Sequence, residues 1–547
     1  MVKMFFILFG VLAFCQAVCG QSVSKVWVAD RKDGTYMNPV LHADYSDPDV
    51  CAVGDDFYMT ASSFNCTPGL PILHSRDLVN WKLINYALKV IEPEEFYNKP
   101  QHGKGVWAPS IRYHNGEFYI YWGDPDFGIF MVKAKDPQGE WDKPVLVKAG
   151  KGMIDPTPLW DEDGKAYLVH AWAGSRAAFN SVVTVCEMNP EGTKVISEPV
   201  LVFDGNDGVN HTVEGPKFYK RNGYYYILAP AGGVVTGWQL ALRSKNVYGP
   251  YEVKRVMAQG STDINGPHQG AWVETNSGES WFVHFQDKAM YGRVIHLNPV
   301  KWTEGWPVIG EDKDGDGCGE PVRRYRKPNV GKTYPVETPA ESDEFNSRRL
   351  GLQWEWHANY QDAFGFTSDL GYMRIYGHVL SEDFVNFWEV PNLLLQKFPA
   401  EEFAATTKLK VVAKADGQQS GLIVMGWDYC YIGVEKQGDR FVLKQVVCKD
   451  AEQQNKETRL MELPVSRKLE AGLFPNYERD IYLRVKVGKN GVCHFHYSLD
   501  GKKYQPAGEP FTARQGKWIG AKVGLFSTAP FGKDRGWVDA DWFRIEK

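Results

Sequence analysis

The chain has 547 residues, of which 43% are hydrophobic, 14% aromatic and 24% charged, and this composition excludes a disordered, collagen-like or coiled-coil protein. Lysine and arginine number 62 against 67 for aspartate and glutamate, and the formal charge of −5 argues against a nucleic acid as the main partner. A chain of this length corresponds to roughly three or four domains, and a neutral ligand suits its charge better than a polyanion.

The first 20 residues have the layout of a secretory signal peptide. An early lysine is followed by an apolar run from Met4 to Phe14 and then by small residues up to Gly20. The run is too short to cross a bilayer, and no later stretch reaches the ~20 apolar residues of a transmembrane helix. We therefore predict an exported, periplasmic protein without a membrane span. Secretion and a lipid anchor on Cys15 or Cys19 are the alternatives.

Neither the cysteines nor the most acidic run predicts a structural site. The cysteines after the signal peptide are odd in number and scattered, without CxxC or zinc-ligand spacing, so buried free thiols are expected. The run DKDGDG, Asp312 to Gly317, imitates the first half of an EF-hand loop. Its twelfth position is Arg323, where a bidentate glutamate is required, so we predict an acidic turn.

Five segments of the chain repeat one pattern, a turn glycine followed by an aromatic and aliphatic strand. Because glycine accepts the positive φ of tight turns, each segment is predicted as a hairpin. The glycines are 62, 48, 59 and 55 residues apart. The segments begin at Gly54 (GDDFYMTAS), Gly116 (GEFYIYWGD), Gly164 (GKAYLVHAW), Gly223 (GYYYILAPA) and Gly278 (GESWFVHFQ).

Repeated hairpin units of this length are typical of propeller blades. Blades close radially and so leave few free sheet edges, which an open stack of hairpins cannot avoid. Five units therefore predict an all-β fold that begins with a five-bladed β-propeller. An irregular stack of hairpins in a sandwich is the alternative.

Acidic residues recur where the first strand of these units begins. Counting back from the turn glycines, Asp47 lies seven residues away, and Trp107, Asp155, Glu214 and Gln269 lie nine residues away. In a propeller these strands line the central axis, so the three carboxylates are predicted to meet in one pocket. Glycoside hydrolysis needs an acid and a base flanking the scissile bond, and a third carboxylate raises the pKa of the acid. The competing interpretation is that each carboxylate caps a turn or pairs with a basic residue.

The segment NPVLHADYSDPDVCAVGDDFYMTASSFNCTPGLPILHSRDLVNW, followed by WAPSI, IDPTP, VEGPKFYKRNGYYYILAPAGG and YGRVIHLNPVKW, resembles glycoside hydrolase family 43 over residues 38 to about 322. The resemblance implies that Asp47 is the general base that activates water, Asp155 the carboxylate that tunes pKa and orients, and Glu214 the general acid. It also implies inversion at the anomeric carbon, with acid and base about 6.5–9.5 Å apart, and no cofactor for the chemistry.

Four further residues are weaker candidates for the pocket. Trp107 is predicted to stack on a sugar ring, although core packing competes. Phe64, in SSFNCTPG, resembles an aromatic of the sugar subsite in related xylosidases, and Arg293, in YGRV, resembles an arginine that binds substrate hydroxyls or holds a carboxylate. His268 resembles a histidine beside a calcium ion at the propeller centre, so a structural Ca²⁺ is predicted there, with water supplying most ligands.

The pattern changes after the fifth repeat. Residues 21–320 are predicted as the propeller, and residues 321–340, rich in proline and charge, as a linker. Residues 341–547 contain alternating strands such as SGLIVMGWD and DIYLRVKVG at regular intervals, which predicts a β-sandwich. This part resembles the lectin-like jelly roll that follows family 43 propellers, and it is predicted to stabilise and shape the pocket rim rather than to bind carbohydrate by itself.

The predicted function is exo-acting, inverting release of terminal α-L-arabinofuranose from plant-type hemicellulose. Asn65, Cys66 and Thr67 are smaller and more polar than the residues expected in xylosidases, and lost bulk there should widen the sugar subsite. A β-D-xylosidase, or an enzyme with both activities, is the first alternative, and a non-catalytic sugar-binding propeller is the second. A retaining fructosidase is disfavoured, because the chain has SDPD and Glu214-Gly215 where NDPNG and Glu-Cys are typical.

Overall fold

A computed structural model describes residues 23–465 and 480–547, so the predicted signal peptide, residues 1–20, lies outside the described residues. Regular structure in the described ranges is almost entirely β, and none of their helices is long and apolar enough to cross a membrane. The helical segments are short. They are Glu94–Tyr97 and Gly174–Ala177 as α-helices, and Ala289–Tyr291, Phe387–Glu389, Ala451–Gln453 and Lys489–Gly491 as 3-10 turns.

Consecutive strands form five four-stranded antiparallel sheets, which we number as blades 1 to 5. Blade 1 contains Asp49–Val53, Asp56–Thr60, Gly69–Ser75 and Trp81–Leu88, and blade 2 contains Trp107–His114, Glu117–Asp124, Gly128–Ala134 and Val145–Ala149. Blade 3 contains Met153–Trp160, Ala166–Trp172, Val182–Met188 and Val200–Asp204. Blade 4 contains Lys217–Arg221, Tyr224–Ala231, Trp238–Ser244 and Glu252–Ala258, and blade 5 contains His268–Glu274, Ser280–Asp287, Arg293–Thr303 and Trp306–Ile309.

The hairpins predicted from the repeat are the inner hairpins of the blades. Each turn glycine joins the first two strands of its blade with a positive φ between 63° and 84°. The first strand of blade 1 contacts the first strands of blades 2 and 5, and those of blades 3 and 4 contact each other, so the blades form a ring. The predicted five-bladed propeller is therefore confirmed.

The segment before blade 1 closes the ring by binding blade 5. The Val40 amide donates to the Ile295 carbonyl at 2.7 Å, and the Asn38 side chain donates to the carbonyls of Leu297 and Val322 at 2.8 Å each. Thr35–Met37 also pairs with Arg324–Arg326. The first part of the segment predicted as a linker is thus a strand that is held on the propeller.

The C-terminal part is the predicted β-sandwich of two sheets around one apolar core. In hydrogen-bonding order, the first sheet contains Glu355–Trp356, Leu394–Lys397, Lys522–Ala529, Gln419–Met425, Tyr429–Gln437, Arg440–Cys448 and Thr458–Pro464, with His378–Val379 beside Lys522–Ala529. The second contains Gly365–Ser368, Tyr372–Tyr376, Trp537–Glu546, Phe403–Val412, Ile481–Val487, Val492–Ser498 and Gln505–Pro506, with Phe511–Thr512 beside Val492–Ser498.

The sandwich is bonded to the propeller. Thr67, after the first hairpin of blade 1, exchanges two backbone hydrogen bonds with Trp356 at 3.2 and 2.6 Å. The Asn359 side chain bonds both backbone groups of Ile91 at 2.9 Å. These contacts fix the loops of the sandwich over one end of the propeller axis.

Most of the cysteines are buried, as predicted, and the acidic run forms a turn. All seven cysteines of the described residues are free thiols, and only Cys51 and Cys318 are partly exposed. The carboxylates of Asp312, Asp314 and Asp316 are exposed, within 4.8 Å of one another. Asp312 accepts hydrogen bonds from the amides of Gly315 and Gly317, as an acidic turn requires.

Candidate active site

One residue near the start of every innermost strand has a left-handed backbone. Side chains other than glycine rarely adopt this conformation, and it bends the strand away from a regular ladder. In blades 2, 3 and 5 a register shift accompanies the bend. The bends turn neighbouring side chains towards one end of the axis. The residues are Asp47 (φ 55°), Ala108 (33°), Asp155 (58°), Gly215 (58°) and Gln269 (33°).

Asp47 is buried and fully engaged by donors. Its Oδ2 accepts hydrogen bonds from the hydroxyls of Ser46 at 2.9 Å and Ser62 at 2.6 Å, and its Oδ1 accepts one from Arg293 at 2.9 Å. The Ser62 hydroxyl in turn accepts from the Ala108 amide at 2.7 Å, which ties Asp47 to blade 2. Such a set of donors favours a carboxylate in a fixed orientation, as a general base requires.

Asp155 is buried and links blade 3 to blade 4. Its Oδ2 accepts a hydrogen bond from the Gly215 amide at 2.7 Å, directly after Glu214 in the chain. Burial raises the pKa of Asp155, the Gly215 amide opposes this change, and the Asp47 carboxylate adds to it. Asp155 therefore fixes the backbone that carries Glu214 and adds negative charge beside it.

Glu214 is the most open of the three carboxyl groups. Its side chain is 26% exposed, against 5% for Asp47. Desolvation raises the pKa of Glu214, and the nearby carboxylates of Asp155 and Asp47 raise it further. A carboxyl group that stays protonated near neutral pH and faces an opening has the properties of a general acid.

Two buried cations balance the carboxylates. Arg293 begins the third strand of blade 5, and its guanidinium bonds Asp47 and Ser46 over the ring of Phe285 at 4.8 Å. Lys217 is fully buried and donates to the Pro109 carbonyl at 3.1 Å. Arg293 was predicted from the sequence, whereas Lys217 was missed, although it is the fifth residue of the segment VEGPKFYKRNGYYYILAPAGG.

Three aromatic rings form one wall of the site. Phe64 and Trp107 meet edge to face with centroids 6.5 Å apart, and Trp518 lies at 6.3 Å on the other side of Trp107. The structure thus brings together both predicted aromatics. Trp518 belongs to the sandwich, is 47% exposed and was missed, because its position follows no repeat.

The loop used to predict arabinose specificity does not face this wall. Asn65, Cys66 and Thr67 are at most 1% exposed. The Asn65 amide donates to the His357 carbonyl at 2.8 Å, and the Thr67 hydroxyl donates to the Ala358 carbonyl at 2.5 Å. The prediction that these small side chains widen the sugar subsite is wrong, because they pack against the sandwich.

His268 lies beside the acid but is a poor calcium ligand. Its Nε2 is 3.6 Å from Glu214 Oε1, and burial lowers its pKa to about 3, so it is neutral. Within the described part of the chain, neither ring nitrogen has a hydrogen-bond partner, nor does Oε1 of the adjacent Gln269. Calcium takes six to eight oxygen ligands, and an imidazole with one amide oxygen falls far short of this number. The donor set does not fit a protein-built calcium site, and we assign no step to a metal.

Two family models match the two structural parts. The model described as "Glycosyl hydrolases family 43" matches residues 36–307. The model described as "Beta xylosidase C-terminal Concanavalin A-like domain" matches residues 342–546. The boundaries correspond to the propeller and the sandwich.

Individual relatives match along nearly the whole chain. A Xylanibacter ruminicola protein named as a candidate beta-xylosidase is 38% identical over 510 residues, 92% of this chain and 88% of the relative. A non-reducing end alpha-L-arabinofuranosidase of Bacteroides ovatus is 32% identical over 453 residues, 78% and 81% of the two chains. The crystal structure of the family 43 protein BlXynB from Bacillus licheniformis is 27% identical, with a TM-score of 0.77 over 94% of this chain and 99% of that one. The chain therefore belongs to glycosyl hydrolase family 43 and is a glycoside hydrolase.

Proposed function

We propose that the protein is an exo-acting β-D-xylosidase that releases terminal xylose from hemicellulose oligosaccharides with inversion. The observation that carries the proposal is the contrast between two carboxyl groups of one pocket. Asp47 is fixed by hydrogen bonds from Arg293 and two serines, whereas burial and the neighbouring carboxylates raise the pKa of Glu214. Glycoside hydrolysis needs one carboxyl group that donates a proton and a second that acts as a carboxylate, and the family assignment adds the inverting course to the proposal.

In the proposed reaction each carboxyl group has one role. Glu214 donates its proton to the glycosidic oxygen as the bond to the anomeric carbon breaks. Asp47 takes a proton from the attacking water on the opposite face of the sugar, and Arg293 and the serines hold Asp47 in place. Asp155 orients the Glu214 backbone through Gly215 and disfavours early loss of the acidic proton. After one turnover a proton moves from Asp47 to Glu214 through solvent.

Xylose is placed before arabinose for two reasons. The relative at 38% identity is named as a candidate beta-xylosidase, whereas the arabinofuranosidase is 32% identical over less of the chain. The sequence argument for arabinose depended on Asn65 to Thr67, and these residues face the sandwich. The arabinofuranosidase relative still makes α-L-arabinofuranose the second candidate.

Exo action is supported by the wall that the sandwich adds. Trp518 approaches Trp107 from the sandwich, and the seam beside Phe64 is closed by the bonds of Thr67 to Trp356. A pocket walled by both domains accepts a chain end more readily than the middle of a polymer. A polysaccharide substrate also suits export through the predicted signal peptide.

The sugar is tested by the ratio of kcat/KM for nitrophenyl β-D-xylopyranoside to that for nitrophenyl α-L-arabinofuranoside. We expect a ratio above one, and a ratio below one would restore arabinose as the substrate. Glu214→Gln serves as the control and should reduce turnover by about 10²- to 10⁴-fold, since it removes a general acid at constant volume. Sugar binding without any turnover would favour the non-catalytic propeller.

Two further measurements test the mode of cleavage. NMR of the first product should show α-xylose released from a β-xyloside, as inversion requires, and initial β-xylose would indicate retention. In a time course on xylan, xylose should be released before any oligosaccharide. Early oligosaccharides would contradict the exo assignment.

A further inference from the structure

Asp44 is a buried carboxylate between the two domains, three residues before Asp47. Its Oδ1 accepts a hydrogen bond from the backbone amide of Arg293 at 2.9 Å. Its Oδ2 accepts one from the backbone amide of Gly520 at 2.8 Å. Only 5% of the residue is exposed. One carboxylate therefore joins the propeller strand of Arg293 to a sandwich loop.

The three backbones meet with no free space between them. A Cβ on Gly292 would lie 2.4 Å from the carboxyl carbon of Asp44, and a Cβ on Gly520 would lie 2.7 Å from the Gly292 amide nitrogen. Real Cβ atoms essentially never lie this close to another heavy atom. Both positions thus require glycine, because the segments of Gly292 and Gly520 that Asp44 joins approach each other so closely.

Both amides bound by Asp44 lie in segments that carry a side chain of the site. Arg293 bonds Asp47 through its side chain. Gly520 follows Trp518 by two residues, and the guanidinium of Arg293 lies 5.8 Å from the centre of the Trp518 ring. Trp518 has a left-handed backbone with φ of 65°, which an aromatic residue keeps only when its surroundings hold it.

We propose that Asp44 is a positioning residue that sets Trp518 and Arg293 relative to each other, and so sets the aromatic wall against the general base. The inference depends on the proposed function for its kinetic effect, but the link itself is independent of the substrate. Burial raises the pKa of Asp44, whereas the amides of Arg293 and Gly520 and the charges of Lys397 and Lys522 oppose this change, so both hydrogen bonds favour the charged form.

Asp44→Asn tests the link at nearly constant volume. An amide keeps one acceptor oxygen and places a donor against the second backbone amide, so one bond is lost. We expect kcat/KM to fall about 10- to 100-fold, as for loss of a hydrogen bond to a charged group, with much of the change in KM. The matched control is Asp343→Asn, since Asp343 also accepts from two backbone amides, those of Phe345 and Gly351, within the sandwich. An equal kinetic loss in the control would overturn the proposal.

A double-mutant cycle separates positioning from general destabilisation. If Asp44 acts through Trp518, the effect of Asp44→Asn on KM should be several-fold smaller when Trp518 is already alanine. Strictly additive effects would contradict the proposal. Gly520→Ala gives a second route, because its Cβ clashes with Gly292, and it should reproduce the rise in KM while Asp44 stays intact.

Hydrogen exchange gives a readout that needs no substrate. Deuterium uptake in the peptide covering residues 515–521 should rise in Asp44→Asn and stay at the wild-type value in Asp343→Asn. Unchanged uptake would overturn the link even if activity fell. If instead uptake rises but the wild-type protein cleaves neither nitrophenyl pentoside, the proposed function fails while the structural link stands.

Discussion

At the scale of single residues, the surroundings of three carboxyl groups give each of them a different role. Asp47 has an arginine and two hydroxyls as donors, Asp155 has one backbone amide, and Glu214 has no hydrogen bond to its carboxyl group among the described residues and faces the opening. Desolvation penalises the charged form, and donors favour it. Burial and hydrogen bonding therefore assign base, modulator and acid without any change in intrinsic chemistry.

The modulating role predicts a shift in the pH profile. The charge of Asp155 raises the pKa of Glu214, so Asp155→Asn should lower that pKa. Because the acid must be protonated, the alkaline limb of kcat against pH should move to lower pH. Initial rates from pH 5 to 9 provide the measurement.

The control for this shift is Asp161→Asn. Asp161 lies in the same blade, but its carboxylate bonds Lys220 and Tyr225 outside the pocket. In Asp161→Asn, the alkaline limb of kcat against pH should match that of the wild type. If this limb does not move in Asp155→Asn, then Asp155 does not modulate the pKa of Glu214.

At the scale of elements, each blade is an inner hairpin whose first strand bends at the axis and whose remaining strands pack outward. The second strand of blade 3 shows how strictly the packing between strands excludes charge. His170 is completely buried, contacts the Ala171 carbonyl at 3.1 Å, and lies 3.2 Å from the hydroxyl of Thr184. Desolvation lowers the pKa of His170 to about 4.

This burial predicts that His170 destabilises the fold in acid. The unfolded chain binds a proton near pH 6.5 and the folded chain only near pH 4, so the stability present above pH 6.5 is lost as the pH falls towards 4. Relative to His170→Gln, the wild type should lose about 2 kcal/mol of unfolding free energy between pH 7 and 5. Urea unfolding at both pH values measures it.

The exposed His494 supplies the comparison, since His494→Gln should leave the pH dependence unchanged. If the unfolding free energy of the wild type and that of His170→Gln change equally with pH, then the His170 imidazole is hydrated and not buried in solution.

At the scale of the whole molecule, a buried ionic cluster of the sandwich lies against the propeller. Glu355 bonds Lys397 and also Lys522, the latter at 2.5 Å, and Lys522 contacts the Cys66 sulfur of the propeller at 3.0 Å. The side chains of Glu355 and Lys522 are 2% and 5% exposed. Each ammonium therefore depends on the carboxylate for compensation.

Removing that carboxylate should destabilise the assembled protein strongly. Glu355→Gln leaves the buried Lys522 and the partly buried Lys397 without their anion, and we expect a loss of about 3–5 kcal/mol and a lower melting temperature by calorimetry. Glu344→Gln breaks an exposed pair with Arg544 and should cost less than about 1 kcal/mol. Similar losses in both variants would show that the cluster contributes no more than a surface pair.

The sequence by itself determined the repeat and its chemistry. Turn glycines such as Gly54 and Gly116 recur because a tight hairpin needs positive φ, and that requirement is local. Because the blades repeat nearly one register, the sequence alone predicts that Asp47, Asp155 and Glu214 meet at one axis. The alternating strands of the sandwich were predictable for the same reason.

Only the tertiary structure decided which residues line the pocket and which of their sequence neighbours face away from it. Trp518 and Asp44 act across a seam between segments more than 400 residues apart in the chain, and no periodicity records such a contact. Conversely, Asn65 and Thr67 follow Phe64 directly yet bond the sandwich. Local pattern fixes the hairpin, but the second domain decides which face of a loop meets substrate, because packing between distant segments depends on three-dimensional fit.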